Sequence, residues 1–92
     1  MVKVKFFASF REAVGKKKLE IKSIKNVDDL LKKLVKKFGS DLKKKIYKSK
    51  KNELRDNVNI LINGKSMNSL EGLETKLEED DVIAIFPPVS GG

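Results

Sequence analysis

Residues 26–39 read NVDDLLKKLVKKFG, and the fold turns on what this stretch becomes. Leu30, Leu31, Leu34, Val35 and Phe38 recur at helical spacing and share one apolar stripe. Asn26 suits the N-cap, and Asp28 and Asp29 suit the positive end of the helix dipole. Lys36 and Lys37 suit the last turn, and Gly39 fits the position just past it. Start, stripe and stop agree, so the spacing predicts one amphipathic helix. A single stripe of this kind cannot be buried alone and needs a sheet to lie on.

The flanks supply that sheet. VKVKFF (Val2 to Phe7) alternates, placing Val2, Val4 and Phe6 on one face and Lys3, Lys5 and Phe7 on the other. ASFREAVG then reads as a compact connection closed by Gly15, and KKLEIKSI alternates again through Leu19 and Ile21. These two strands are expected to pair as an antiparallel hairpin. After the helix, SDLKKKIY offers further helical turns on Leu42 and Ile46, and KSKKNELRDN (48–57) reads as a polar surface loop. VNILIN (Val58 to Asn63) is a strand with Val58, Ile60 and Ile62 inward. Asn63-Gly64 is a hairpin signal, with KSM beginning the return strand. LEGLETKLEEDD is turn-rich and anchored by Leu73 and Leu77, and VIAIF (Val82 to Phe86) is the last strand.

The order is β-β-α-β-(β)-β, an α+β fold. The first and last strands are the most apolar, so they should run parallel in the middle of a mixed sheet of four to five strands. This is the β-grasp arrangement of ubiquitin-like domains, assigned here to residues 1–86. By alternation Phe7, Leu61, Ala84 and Phe86 point to the face away from the helix. Apolar residues grouped on a solvent face suggest a docking surface; the competing expectation is that loops or the second helical segment cover them.

Composition limits the chemistry. Among the 92 residues there is no cysteine and no histidine. The usual thiolate nucleophile, general base and zinc ligands are therefore missing, and no metal site is expected. No signal peptide and no apolar run of membrane-spanning length is visible, so a cytoplasmic protein with no membrane partner is expected. The net charge is +8, concentrated in the first half: residues 1–51 carry 18 Lys/Arg against 5 Asp/Glu, and residues 52–92 carry 3 against 8. Such asymmetry fits steering of a partner or a solvated lysine-rich surface. With 19 Lys but only 2 Arg, one Tyr and no Trp, the chain lacks the forks and stacking rings of a specific nucleic-acid reader, leaving only non-specific phosphate attraction.

The sequence closes on IFPPVSGG (85–92). Pro87 ends the strand, and Pro87 and Pro88 favour a stiff extended exit. Val89 can still anchor, and Gly91 and Gly92 carry no Cβ, so their backbone passes where other residues do not fit. Residues 87–92 thus read as a thin tail tipped by a carboxylate, suited to a narrow tunnel in a partner enzyme. ATP used by that partner would convert the carboxylate to an acyl-adenylate, and sulfide, a thiol or an amine would displace AMP. A glycine pair at the end arises by chance in roughly 0.5% of chains, given glycine usage of about 7%. Combined with Pro-Pro, the preceding strand and the β-grasp order, chance is a poor account of it.

The sequence resembles the MoaD/ThiS family of ubiquitin-like sulfur carriers, and within it the MoaD branch, the small subunits of molybdopterin synthase. FPPVSGG matches the family's C-terminal signature, VKVKFFASFREAVG its opening strand and turn, and INGK and DDVIAIF its late hairpin and last strand. The resemblance spans nearly the whole chain and is strongest at both ends. It implies that a ubiquitin-activating-type enzyme adenylates Gly92, and that sulfur replaces AMP to give a C-terminal thiocarboxylate. It further implies that the tail enters the large synthase subunit and delivers sulfur to a pterin precursor. Gly92 would carry the sulfur, Gly91 would give clearance, and Phe86, Pro87, Pro88, Val89 and Ser90 would form the inserted arm. Phe7, Arg11, Leu61, Ala84 and Phe86 would meet the partner. No bound cofactor is implied, and the chain is non-catalytic alone. Alternatives are a thiamine or tRNA-thiolation carrier, a protein modifier joined through Gly92 to target lysines, and a non-specific nucleic-acid-binding protein.

Overall fold

The computed structural model describes residues 1–47 and 58–86. β1 (Val2–Phe6) is followed by α1 (Ser9–Val14), β2 (Lys18–Ile21), α2 (Val27–Phe38) and α3 (Ser40–Ile46). β3 (Asn59–Ile62), β4 (Lys65–Ser66) and β5 (Val82–Phe86) complete the sheet, with 3-10 turns at Met67–Ser69 and Gly72–Glu74 before β5. The strand order is β2-β1-β5-β3-β4. β1 and β5 run parallel at the centre, with Val4 opposite Ile83 and Phe6 opposite Ile85. β2 flanks β1 antiparallel, and β3 flanks β5 antiparallel. The expected β-grasp fold is therefore present, with five strands.

α2 forms where the sequence predicts it. The Asn26 side chain accepts from the Asp29 N–H at 2.8 Å, and the Asp29 carboxylate accepts from the Lys25 N–H at 3.1 Å. The first bond satisfies a donor that the first turn cannot pair internally, and the second ties the residue before the cap back to that turn. Val27, Leu30, Leu31 and Leu34 are fully buried against the inner sheet face, which presents Val2, Val4, Phe6, Ile60, Ile62, Ile83 and Ile85. Phe38 closes the far end edge-on to Phe6, ring centroids 6.4 Å apart. α3 buries Leu42 and Ile46, the two residues on which its turns were expected to rest.

One expectation needs correction. The stretch after β1 is a helix, α1, and not merely a connection. Phe10 and Val14 stand at i and i+4, and both are buried. Gly15 closes the helix at φ 79°, its N–H reaching the Arg11 carbonyl at 2.8 Å, a left-handed cap that favours glycine. The loop expected at 48–57 lies outside the described residues.

Asn63 and Gly64 take φ of 52° and 86°, the paired positive values of a type I′ hairpin. The Asn63 side chain also accepts from the Val82 N–H and donates to Asp81, both at 2.9 Å. This pins the start of β5 to the hairpin, so the central strand enters the sheet in fixed register.

Candidate functional site

β5 runs directly into the tail in sequence, so the residues around its end are the ones that would position that tail. Residues 83 and 85 face the core, which sends Val82, Ala84 and Phe86 to the outer face. Register places Ala84 between Lys5 and Leu61, and Asn59 opposite Phe86. Phe7 follows β1, and its N–H reaches the Ile85 carbonyl at 3.1 Å. That bond extends the parallel ladder by one rung and sets Phe7 beside Phe86. The two rings meet edge to face, centroids 6.2 Å apart and planes at 90°.

Arg11 completes the cluster. The guanidinium carbon lies 6.0 Å from the Phe7 ring centroid, at the outer limit of a cation–π contact. The Arg11 Nε donates to the Phe6 carbonyl at 3.4 Å. The turn after Phe7 delivers it there: the Phe10 N–H returns to the Phe7 carbonyl at 3.2 Å, with Ala8 at φ 52° and ψ −126°. These are the angles of the first central position of a type II′ turn.

All five expected docking residues thus lie at one surface. Phe7 is 40% exposed, and Leu61, Ala84 and Phe86 are half-buried. No described loop covers Phe7, so the competing expectation of a shielded face does not hold there. Val82 belongs to the same apolar strip, and its period-2 relation to Ala84 and Phe86 was the signal that sequence reading passed over. Lys3, Lys5 and Lys18 border the strip on the β1–β2 side. The strip therefore joins two crossed aromatic rings and small apolar groups to a cationic margin. It can seat a partner's apolar surface, and it holds no group suited to acid–base or nucleophilic work. Pro87, Pro88, Val89, Ser90, Gly91 and Gly92, the expected arm and reactive end, lie outside the described residues.

The family model described as ThiS family matches residues 4–92. The chain belongs to the ThiS family of ubiquitin-like sulfur carriers. It is 33% identical to small archaeal modifier protein 3 of Haloferax volcanii, over 99% of this chain and 98% of that one. The solution structure of small archaeal modifier protein 1 from Methanosarcina acetivorans superposes with a TM-score of 0.84 at 43% identity, covering 99% of this chain and 95% of that one. A putative molybdopterin converting factor, subunit 1, from Pyrococcus furiosus superposes with a TM-score of 0.71 at 30% identity, covering 96% and 97%. Two of these three relatives of the ThiS-family chain are named as modifiers and one as a molybdopterin factor. The resemblance accordingly holds for the ThiS family as a whole and not specifically for the MoaD branch. Among the described residues no helix is long and apolar enough to cross a membrane.

Proposed function

We propose that this ThiS-family chain is a ubiquitin-like modifier and sulfur carrier whose reactive group is the Gly92 carboxylate. Residues 1–86 form the recognition domain and residues 87–92 the working tail. A ubiquitin-activating-type enzyme docks on Phe7, Arg11, Leu61, Ala84 and Phe86 and draws Pro87 to Gly91 into its active site. The carboxylate oxygen attacks the α-phosphorus of ATP, pyrophosphate leaves, and an acyl-adenylate results. Hydrosulfide then attacks the acyl carbon, AMP leaves, and loss of the sulfur-bound proton gives the thiocarboxylate. A target lysine amine gives an isopeptide instead, losing a proton as AMP leaves. The observation that carries this reading is a family match running through residue 92 in a chain similar over its full length to archaeal modifier proteins.

The test is intact-mass measurement of the protein isolated from its own cells, with peptide mapping of its higher-mass species. An oxygen-to-sulfur replacement at Gly92, or Gly92 joined to a lysine, supports the proposal. An unchanged Gly92 after incubation with ATP, sulfide and every activating enzyme of the source overturns it. A second reading, sulfur delivery to a pterin precursor as the small subunit of molybdopterin synthase, is favoured by the similarity to the Pyrococcus furiosus protein. It requires that the thiocarboxylate form convert that precursor when mixed with the large synthase subunit, and it fails if no dithiolene product forms.

A further inference from the structure

The sheet ends on one side at β2, and the hydrogen-bond alternation shows which backbone groups that edge leaves open. The Phe6 N–H donates to the Lys17 carbonyl at 2.9 Å. Stepping by two along the antiparallel register, Val4 with Leu19 and Val2 with Ile21 fall in the same hydrogen-bonded class. The N–H and C=O groups of Lys18 and Glu20, and the N–H of Lys22, therefore point away from β1. Among the described residues, no backbone bond outside the ladders uses them.

Beside this edge lies a groove between β2 and α2, lined by Glu20, Ile21, Lys22, Lys33, Lys36 and Lys37. Leu19 and Ile21 are only half-buried, unlike their partners Val4 and Val2. Lys33, Lys36 and Lys37 stand at i, i+3 and i+4 and share one side of α2. Lys33 donates to the Ser23 carbonyl at 2.8 Å. Lys22, Lys36 and Lys37 are exposed, and the two ion pairs formed among the described residues involve none of them.

We propose that the β2 edge and this groove bind an extended acidic peptide segment of another protein, added to the sheet as a sixth strand. Its backbone pairs with Lys18, Glu20 and Lys22, supplying main-chain affinity. Its apolar side chains extend the layer begun by Leu19 and Ile21 and lie against the aliphatic lysine stems. Its carboxylates meet the ammonium groups of Lys22, Lys36 and Lys37. A second copy of this chain fits poorly, because Lys16, Lys17, Lys18 and Lys22 would face their own like charges across the edge. Nucleic acid fits less well than peptide: no arginine or aromatic ring lines the groove, and phosphates leave the open carbonyls of β2 unpaired. The proposal does not rest on the tail chemistry.

The test titrates isotope-labelled full-length protein with a short blocked peptide in which alternating valine and isoleucine are followed by a run of glutamate. Saturable amide shifts centred on Lys18, Glu20, Lys22, Lys36 and Lys37 are expected. Affinity should fall about tenfold or more with Lys36→Glu and Lys37→Glu together. Both side chains are exposed, so the fold should persist. N-methylating the peptide amides that face β2 should weaken binding comparably with no change to the protein. The proposal is overturned if shifts centre on Phe7 and Phe86, if none saturates, or if a lysine-tailed peptide binds equally. It is likewise overturned if N-methylation has no effect, or if single-stranded oligouridylate binds these amides more tightly than the peptide.

Discussion

Ala8 holds backbone angles better suited to glycine, and the arginine–aromatic cluster depends on the turn it forms. A Cβ at φ 52° is strained, commonly by about 1–2 kcal/mol. Ala8→Gly should therefore raise stability by about 0.5–1 kcal/mol, after subtraction of glycine's greater freedom in the unfolded chain. Urea unfolding measures this; a lower midpoint would show that the turn tolerates the Cβ without cost. Phe86 has the opposite character: it is half-buried on the outer sheet face, where the proposed partner would meet it. Phe86→Asp should leave the fold intact and weaken docking to the activating enzyme by about 2 kcal/mol or more, as for a buried contact aromatic. Calorimetric titration against that enzyme, paired with circular dichroism, decides it, and loss of the folded state would place Phe86 in the core instead. Both phenylalanines were legible from alternation alone, because period 2 carries side-chain direction. Arg11 was reached only through the family resemblance: its place beside Phe7 depends on a turn whose positive φ sits on alanine, where alternation gives no cue.

Among the elements, α2 was readable to both caps because its stripe, cap and end charges are local and agree. Removing its cap should be correspondingly costly. Asn26→Ala is expected to lower stability by about 1 kcal/mol, seen as a lower thermal midpoint with an unchanged spectrum. An unaltered midpoint would mean that the Asp29–Lys25 bond alone holds the turn. α1 was missed for a physical reason: six residues are too few to display a helical period, and their burial comes from tertiary packing. The β2 groove was hidden for a different reason, since it exists only once β1 lies between β2 and β5. The end of α3 carries a titration signature. Tyr47, its C-cap, is buried, and its hydroxyl has no hydrogen-bond partner among the described residues. Burial raises the phenol's pKa, and the Asp28 carboxylate adds to the shift. A group whose folded pKa is raised stabilises the fold below its unfolded value, about 10 for tyrosine. That stability is lost as pH climbs through the folded value. Stability should therefore fall above about pH 10, and less steeply in Tyr47→Phe; equal slopes in the two proteins would assign the loss to other groups.

Across the whole molecule, positive charge is present in excess of what the described ion pairs absorb. The net charge is +8, whereas the ion pairs among the described residues are Met1 with Glu79 and Lys32 with Asp28. Self-repulsion should be relieved by salt, whose screening length falls from about 30 Å at 0.01 M to about 8 Å at 0.15 M. Thermal midpoints should rise over that range, and a decrease would show that favourable pairing outweighs repulsion. The sheet order has a separate consequence for how the chain reaches this state. Among the described residues, β5 alone joins the β1–β2 pair to the β3–β4 pair, and its central register matches Lys3 with Val82. Until β5 inserts, the molecule is two disconnected ribbons, each with an unpaired edge. Such long-range closure is characteristic of slow folders. It is also the step that sets Phe86 beside Phe7, so under the proposed function an incompletely folded chain would offer an activating enzyme no assembled platform. Under that proposal, completion of the fold would be a licence for chemistry at the tail, with no separate inspector required.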